Sequence, residues 1–287
     1  MAKSPFYNAD HETFRDVVRR FVQKEIEPYA HEWDEAGTFP RELYRKAAEI
    51  GLLGLGFPEE YGGTPCDNFM WIVSVQELAR TGAGGVSASL KSNSIGAPPI
   101  ARAGTPEFKA KVLPEILSGE KISALAITEP SGGSDVANLR TTARREGDVY
   151  VVNGEKTFIT SGMRADYITT AVRTGGPGPA GVSLLVIPGD TPGLSRTSLK
   201  KMGWWASDTA TLHFDNCRVP AGNLLGDEGA GFKIIMHNFN SERLTMAAGC
   251  TAAARVCLDE ATEYAKQRHT FGKPLTQHQV IRHKLVD

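Results

Sequence analysis

The sequence contains few cysteines, and their spacing excludes the sites that cysteine most often builds. The four cysteines form no C-x-x-C pair and have no histidine spacing suited to zinc, so no metal site is expected. Cys250 and Cys257 lie two helical turns apart and are expected to be small core residues. This use of cysteine is typical of a reducing, intracellular setting.

The chain also lacks an excess of charge and a long apolar run. Its formal net charge is -1, from 32 Lys and Arg against 33 Asp and Glu, which argues against nucleic acid or an anionic membrane as a partner. No run approaches the ~18 apolar residues that indicate a membrane span. Residues 1–16 carry acidic residues without an apolar core, so we expect no secretory signal or transit peptide and a cytoplasmic location.

Helical patterns occupy the first part of the chain, whose 287 residues are enough for two or three domains. Apolar residues at helical spacing predict helices over 10–33, 40–50, 67–81 and 106–118. Pro28 is expected to break or kink the first helix, and Gly51 to end the second. We therefore predict an N-terminal helical domain over residues 1–122.

Short β-branched segments replace the helical pattern after residue 122. Turn signals separate them, and they cover 123–127, 141–145, 149–153, 156–160, 167–172, 182–188, 194–199 and 209–214. This spacing predicts an antiparallel β-barrel or sandwich in a middle domain over 123–228. The lack of intervening helices argues against a Rossmann unit, and no G-x-G-x-x-G motif opens a helix here. The glycine turn at 132–134 has no P-loop lysine, which argues against phosphoryl transfer.

One long helix is predicted from Gly229 to about residue 267, because apolar residues recur on one face with the helical period. A turn follows, and another helix is expected to begin at residue 276. Residues 229–287 would form a C-terminal helical bundle that is incomplete in this chain. The predicted fold class is therefore α+β and multi-domain, in the order helical, β and helical.

Two polar strand ends are the best candidates for a binding site. The stretch 125–136 begins as an apolar strand and breaks into a hydroxyl-rich turn, where Gly132 and Gly133 allow a close backbone approach. The stretch 157–162 ends the strand that follows the Asn153-Gly154 turn. We interpret these two stretches as a cradle for a planar polar cofactor. The alternative is that their hydroxyls only satisfy strand edges.

Six short motifs follow one another in a definite order along the chain. They are Ile-Thr-Glu-Pro at 127–130 with Gly-Ser-Asp-Val at 133–136, Asn-Gly at 153–154 followed by Phe-Ile-Thr at 158–160, Gly-Trp at 203–204 with Ser-Asp-Thr at 207–209, and the segments 239–243, 268–272 and 278–279. Together they resemble the acyl-CoA dehydrogenase family of flavoproteins, and the resemblance runs to residue 287. One such motif is weak evidence, whereas six in order are specific.

The resemblance implies that FAD is the cofactor. The strand end would hydrogen-bond the pyrimidine edge of the flavin through Leu125, Ile127 and the hydroxyl of Thr128. Gly133 and Ser134 would approach the flavin and the CoA part of the substrate. The other cradle residues that would bind FAD are Phe158 and Ile159 beside the ring and Thr160 near flavin N5.

The resemblance also implies an oligomer and two kinds of partner. Arg268, Phe271 and Gln279 would bind the FAD of a neighbouring subunit, so a homo-oligomer, a tetramer or a dimer, is expected. Asn240 and Arg243 match positions that contact the acyl-CoA substrate. An electron-transfer flavoprotein is the expected electron acceptor.

The implied reaction converts an acyl-CoA thioester into a trans-2-enoyl-CoA, with the α-proton removed by a glutamate and the β-hydride passed to FAD N5. Glu242 matches the position of this base in one branch of the family, while most members carry it beyond the position where this chain ends. A helical projection from Phe232 places Arg243 near the centre of the apolar stripe and Glu242 on its edge. Such a pair is either functional or a structural ion pair.

Two other functions stay open. A same-fold acyl-CoA oxidase or flavin monooxygenase would pass the electrons to oxygen, and a truncated FAD- or CoA-binding fragment would have no activity. Two further polar segments are predicted to be structural, Glu129-Pro130 as a turn former and His213 as a satisfied strand residue. The sequence does not specify the length or branching of the acyl chain.

Overall fold

The chain folds into a helical part, a β-sheet part and a long helix, so the predicted α+β class and order are confirmed. The computed structural model describes residues 5–287. The expectation about a targeting segment at residues 1–16 lies partly, over residues 1–4, outside the described residues.

The N-terminal part consists of helices that vary greatly in length. They are α1 (Ala9–Glu25), α2 (Ala30–Ala36), α3 (Glu42–Glu49), α4 (Asn68–Ala79), α5 (Gly84–Leu90), α6 (Asn93–Gly96), α7 (Pro98–Ala103) and α8 (Pro106–Leu117). Pro28 lies in a short 3-10 turn (Glu27–Tyr29) between α1 and α2, which confirms the predicted break. Gly51 adopts a φ of 78° after α3, as expected for a residue that ends a helix.

The middle part is one seven-stranded sheet. Its strands are β1 (Ser123–Ala126), β2 (Thr142–Glu146), β3 (Val149–Ile159), β4 (Tyr167–Arg173), β5 (Val182–Pro188), β6 (Leu194–Ser198) and β7 (Ala210–Pro220). The order is β1-β4-β2-β3-β7-β6, with β5 paired to β4. The β2–β3, β3–β7, β4–β5 and β6–β7 pairs are antiparallel, as predicted, whereas β1 joins β4 in parallel. β1 is thus a terminal strand, and one of its edges is left for other contacts.

The Asn153-Gly154 turn predicted from the sequence is wrong. β3 runs without interruption from residue 149 to residue 159, and Gly154 lies at a shift in its register with β7. Gly154 has a φ of 143°, and a Cβ built on it would lie 2.7 Å from the Cα of Thr141. The register shift shows that Gly154 lies at a β-bulge in β3. The position is a glycine because the backbone of Thr141 approaches too closely for any side chain.

The long helix α9 (Gly231–Gln267) connects the sheet to the N-terminal helices. Its 37 residues span about 56 Å at the ordinary helical rise. Its first residue packs on β5, where a Cβ added to Gly231 would lie 2.5 Å from the carbonyl carbon of Ser183. Further along, Gly249 lies against Val75 of α4. A two-strand turn formed by β8 (His269–Thr270) and β9 (Lys273–Pro274) follows, and α10 (Gln279–Val286) ends the described chain.

The buried residues of α9 lie in its first turns and, near its end, at Ala265. Ile234 and Ile235 are buried, whereas Met246 is 60% exposed. Cys250 and Cys257 are exposed, so their prediction as core residues is wrong for the single chain. The reason is that, within the described residues, α4 and α7 contact α9 along part of its circumference only.

Within residues 5–287, no helix is both long and apolar enough to cross a membrane. The same range contains no group of three or more His, Cys, Asp or Glu side chains arranged to hold a metal ion.

Candidate active site

The two stretches of the cradle meet in the folded chain. The N–H of Thr157 donates to the carbonyl of Thr128 over 2.9 Å, which joins the end of β1 to the end of β3. Gly133 lies over Thr128, because a Cβ added to it would lie 3.0 Å from Thr128 Cγ2. Ser134 follows at the exposed side of the same turn. The sequence prediction that these segments adjoin one another is therefore confirmed by a direct hydrogen bond.

A buried ion pair holds the cradle together from behind. Lys156 of β3 is fully buried, and its Nζ donates to Glu129 Oε1 and to the Ile127 carbonyl, each over 2.9 Å. The Glu129 carboxylate also accepts from the N–H groups of Arg140, at 2.6 Å, and Thr141, at 2.8 Å, and from the Ser131 hydroxyl, at 3.5 Å. Glu129 does form a turn, through reciprocal backbone hydrogen bonds with Gly132, and its carboxylate also ties three backbone segments together.

Burial and charge act in opposite directions on this pair. Burial alone would raise the pKa of Glu129, but the ammonium group of Lys156 and the N–H of Thr141 outweigh it and hold that pKa at about 2. Burial lowers the pKa of Lys156 to about 8, with Glu129 opposing the decrease. Both groups therefore remain ionised around neutral pH.

The open side of the cradle presents an aromatic ring and free hydroxyl groups. Phe158 is 70% exposed and has a φ of 60°, in the left-handed region that is costly for a residue with a side chain. Among the described residues, no group pairs with the hydroxyls of Thr128 and Thr160. Other hydroxyls of the same two stretches are bonded within the chain, those of Thr157 to Thr211 and of Ser161 to Ser92. An exposed, strained aromatic beside unused hydroxyls is typical of a ligand site.

The apolar residues of the cradle contribute mainly through their backbone. Ile127 and Ile159 are buried, and their side chains belong to the two hydrophobic cores. Leu125 is half-buried and packs against the second of these cores. Their side chains are therefore occupied by packing, and only backbone groups of these residues remain for contact with a planar ligand.

Glu242 lines a cleft between α9 and the N-terminal helices. The cleft has a volume of about 360 Å³, and its walls include Phe57, Trp71 and Ile95. Asn238, one helical turn before Glu242, donates to Glu242 Oε1 over 2.5 Å and to the Ile95 carbonyl over 3.2 Å. The carboxylate is thus held in one orientation by an amide that is itself fixed to the neighbouring helix.

The environment of Glu242 shifts its titration toward neutral pH. Burial raises the pKa of Glu242 to about 7, and the guanidinium of Arg243 opposes this only in part. The helical projection is wrong about the relative burial of the two residues, because Glu242 is half-buried and Arg243 is exposed. The Arg243 guanidinium lies 5.8 Å from the ring centroid of Phe239 instead of inside the apolar stripe.

Asn240 and Arg243 line a second cleft, next to the first. Its volume is about 540 Å³, and Arg102, Lys233 and His237 complete its polar wall. Arg102 and His237 also line the cleft of Glu242, so the two clefts adjoin. This concentration of positive charge suits a phosphate-bearing ligand whose other end enters the first cleft.

The remaining predicted cofactor residues lie far from the cradle of the same chain. Arg268, Phe271 and Gln279 are all exposed, and Phe271 is 95% exposed with a φ of 52°. The hydrogen bonds of this turn run within it and to the end of α9, as between the Arg268 N–H and the Tyr264 carbonyl. The start of α9 lies at the sheet, and the length of the helix places these residues about 50 Å from that start.

Sequence reasoning missed three residues that organise the site. Glu129 and Lys156 carried a signal, because a lysine inside a β-branched strand needs a buried partner. Asn238 carried none, since an asparagine one turn before a glutamate is common on exposed helices. Only the packing of α9 against Ile95 shows what Asn238 does.

Comparisons with known proteins agree along the whole chain. The sequence matches the family descriptions "Acyl-CoA dehydrogenase, N-terminal domain" over residues 8–120, "Acyl-CoA dehydrogenase, middle domain" over 124–217 and "Acyl-CoA dehydrogenase, C-terminal domain" over 229–287. The acyl-CoA dehydrogenase apdG of Emericella nidulans is 40% identical over 303 residues, an alignment that covers 99% of this chain and 69% of that protein.

Solved structures give the same result. A probable acyl CoA dehydrogenase from Mycobacterium abscessus superimposes with a TM-score of 0.94 at 49% identity, covering 97% of this chain and 75% of that one. A glutaryl-CoA dehydrogenase from Mycobacterium smegmatis in complex with FADH2 superimposes with a TM-score of 0.88 at 31% identity, covering 98% and 71%. Sequence and structure thus agree that this chain belongs to the acyl-CoA dehydrogenase family of FAD-dependent oxidoreductases.

Proposed function

We propose that this protein dehydrogenates an acyl-CoA thioester to a trans-2-enoyl-CoA and that Glu242 removes the α-proton. The observation that carries the proposal is a carboxylate whose pKa is raised to about 7, held by Asn238 at the wall of a cleft. A general base is most effective when its pKa lies near the working pH. Burial has tuned Glu242 to this value without a second acidic group, which leaves it free to accept a proton.

The cradle fits FAD on the evidence of its own residues. The hydroxyls of Thr128 and Thr160 are unused, Phe158 is exposed beside them, and Gly133 leaves room where a Cβ would contact Thr128. These residues, with the backbone of Leu125, Ile127 and Ile159 and the hydroxyl of Ser134, would hold the isoalloxazine ring. FAD, when bound, supplies the two-electron acceptor for the C–H bond that breaks at the β-carbon.

The chain's own residues then account for the proton. The ionised Glu242 carboxylate accepts the α-proton of the thioester, and it is the ionised form that predominates above about pH 7. Asn238 keeps the carboxylate oriented by donating to its Oε1. The apolar walls around Phe57 and Trp71 exclude water and so preserve the raised pKa of the base.

The second cleft supports binding of the CoA part of the substrate. Arg102, Lys233 and Arg243 surround it, and Asn240 adds an amide that can bond a phosphate or an amide of the pantetheine arm. Because this cleft adjoins that of Glu242, one ligand can place its phosphates in the second cleft and its acyl chain in the first. The predicted substrate contacts Asn240 and Arg243 fit this division of roles.

A homo-oligomer would complete the cofactor site. Arg268, Phe271 and Gln279 lie about 50 Å along α9 from the sheet, so they cannot reach the cradle of their own chain. Their exposure is understandable if they contact FAD held by a second copy. We propose a dimer or a tetramer assembled in this way, with an electron-transfer flavoprotein as the electron acceptor.

Spectroscopy of the flavin-loaded protein tests the proposed function. An acyl-CoA added without oxygen is expected to bleach the flavin absorbance and to yield the 2-enoyl-CoA. With oxygen present, turnover should depend on an added acceptor dye or electron-transfer flavoprotein. Stoichiometric peroxide release would instead favour an oxidase. A colourless protein that takes up no added FAD would favour an inactive fragment and contradict the proposal.

The basic cleft gives a prediction about substrate affinity. Replacing Arg102 and Lys233 together by glutamine is expected to raise the KM for an acyl-CoA by about 10-fold at low ionic strength, because two charges that attract the phosphates are removed. The difference from the wild type should shrink as salt is added. Lys111→Gln on the exposed face of α8 is the matched control and should leave KM unchanged. Equal KM values at low salt would show that the phosphates bind elsewhere.

A further inference from the structure

The turn after β3 contains a buried hydroxyl that no step of the proposed reaction uses. Ser161 follows Thr160 directly and is fully buried. Its φ is 59° and that of Phe158 is 60°, so a residue in the left-handed region lies at each end of the segment 158–161. This backbone conformation is costly for a residue with a side chain, and it persists only where the surrounding structure holds it. Contacts elsewhere in the fold must therefore hold Ser161 in place.

The helical part of the chain holds the Ser161 hydroxyl. This hydroxyl donates to the Ser92 hydroxyl over 2.9 Å, and it lies 3.4 Å from the hydroxyl of Tyr44 and from the Ser89 carbonyl. The Tyr44 hydroxyl donates to the same Ser89 carbonyl over 2.8 Å. All four residues are fully buried, so these groups are satisfied by one another and not by solvent. Tyr44 lies in α3, Ser89 in α5 and Ser92 directly before α6, so the end of β3 is fastened to three helices.

Arg164 fastens the other end of the same turn. Its Nη1 donates to the Phe39 carbonyl over 2.8 Å, and its guanidinium carbon lies 4.2 Å from the centroid of the Phe39 ring. Within the turn, the N–H groups of Arg164 and Ala165 both donate to the Ser161 carbonyl. The turn is thus a closed unit attached to the helical part at two points, and Thr160 lies between this unit and the end of β3.

The residues next to this anchor belong to the open side of the cradle. The hydroxyl of Thr160 pairs with no described residue, and Phe158 is 70% exposed. Successive Cα atoms are held about 3.8 Å apart by the peptide bond, so a shift of Ser161 moves Thr160 with it. The position of the free hydroxyl therefore depends on the buried one that follows it.

We propose that Ser161 is a positioning residue of the flavin cradle and that Tyr44 and Ser92 support it from behind. The buried hydroxyl keeps the strained end of β3 in the conformation that the cofactor needs before the cofactor binds. Because Ser161 is buried, it acts through Thr160 and Phe158 and not by contact with the flavin. This inference rests on the proposed function, since it takes FAD as the ligand of the cradle.

The contribution of this anchor should appear in the affinity for FAD. Without the hydroxyl, nothing favours the left-handed conformation at residue 161 in the free protein, so FAD binds only the fraction of molecules that still adopts it. The apparent dissociation constant rises as this fraction falls. A hydrogen bond between buried neutral groups contributes roughly a factor of 10 to such an equilibrium.

Titration of the full chain with FAD, after removal of bound flavin, tests the inference. We expect Ser161→Ala to raise the dissociation constant of FAD by about 10-fold and to change the visible circular dichroism of the bound flavin. Ser161→Gly also removes the hydroxyl, but glycine adopts a positive φ without strain, so the rise should stay below about 3-fold. Tyr44→Phe removes only the hydroxyl behind Ser161 and should raise the constant by about 3-fold.

Thr169→Val is the matched control. The Thr169 hydroxyl is fully buried and donates to the Gly96 carbonyl over 2.7 Å, so it also joins the sheet to the helical part. Its loss should lower the melting temperature about as much as Ser161→Ala does, but leave the FAD dissociation constant and the flavin spectrum unchanged. A purely structural role of the Ser161 hydroxyl predicts the same unchanged FAD binding for both variants.

The outcomes distinguish this inference from the proposed function. An unchanged FAD dissociation constant in Ser161→Ala and Tyr44→Phe would overturn the Ser161 inference and leave the dehydrogenase proposal standing. FAD binding that depends on Ser161, in a protein whose flavin no acyl-CoA reduces, would contradict the proposed function while the inference stands. A wild-type chain that takes up no FAD would contradict both. If Ser161→Ala does not fold, Ser161→Gly and Tyr44→Phe provide the same comparison with Thr169→Val.

Discussion

Replacing Glu242 by glutamine is expected to lower kcat for an acyl-CoA substrate by about 100- to 10,000-fold, the range that a positioned general base contributes. Glutamine retains the size of the side chain and can still bond Asn238, so FAD content and fold should be unchanged. Anaerobic reduction of the flavin by the substrate, followed by stopped flow, measures the chemical step directly.

The pH dependence of the wild type provides a second readout of the same residue. The rate should rise with pH through about 7 as the Glu242 carboxylate ionises, and this step should be absent in Glu242→Gln. The folded pKa lies above the ordinary 4.5, so the stability of the wild type relative to the variant should fall as pH rises from about 4.5 through 7.

A matched control separates this effect from a general loss of charge. Glu107→Gln removes an exposed carboxylate from the first turn of α8 and should leave the rate and its pH profile unchanged. Near-normal turnover of Glu242→Gln would mean that the proton is removed by another group, and the assignment of Glu242 would be wrong.

Replacing Glu129 by glutamine is expected to destabilise the protein by about 3–5 kcal/mol, because it leaves the ammonium group of Lys156 buried without a counter-charge. A loss of this size should lower the melting temperature by about 10 °C. The end of β1 should also loosen where Lys156 holds the Ile127 carbonyl, so FAD should dissociate more readily. Thermal unfolding and the flavin content after gel filtration measure the two effects.

A compensating variant and the pH dependence of stability test whether the loss of stability comes from the Glu129–Lys156 pair. Lys156→Met added to Glu129→Gln should recover much of the stability, since it removes the unpaired charge. Because the folded pKa of Glu129 lies below the ordinary 4.5, its contribution is present above about pH 4.5 and is lost as pH falls toward 2. The exposed pair Glu263–Lys266 is the control, and Glu263→Gln should change stability by less than about 0.5 kcal/mol. A melting temperature unaffected by Glu129→Gln would contradict the anchoring role.

Local patterns determined the order of elements and the position of the cradle. Pro28 and Gly51 act through their own backbone, so helix ends near them could be predicted without knowledge of the fold. The motifs at 127–136 and 158–160 placed hydroxyls at two strand ends that do meet. The domain boundaries at 122/123 and 228/229 stay a prediction, as do the roles assigned to individual residues of the site.

Features that depend on distant neighbours could not be predicted from local patterns. Asn153-Gly154 has the sequence of a tight turn, yet the close approach of Thr141 makes it a bulge inside β3. A helical period could not show which side of α9 is covered, so the burial of Glu242 and Arg243 was assigned the wrong way round.

Local sequence patterns were enough to predict two polar strand ends beside a glycine turn, because strand alternation and glycine turns are local properties. Tertiary structure decided what holds the cradle and what lies beside it. Lys156 pairs with Glu129 across 27 residues, and Asn238 reaches Ile95 across 143. The physical reason is that burial and charge pairing, which set the pKa values of Glu242 and Glu129, are properties of the packed chain.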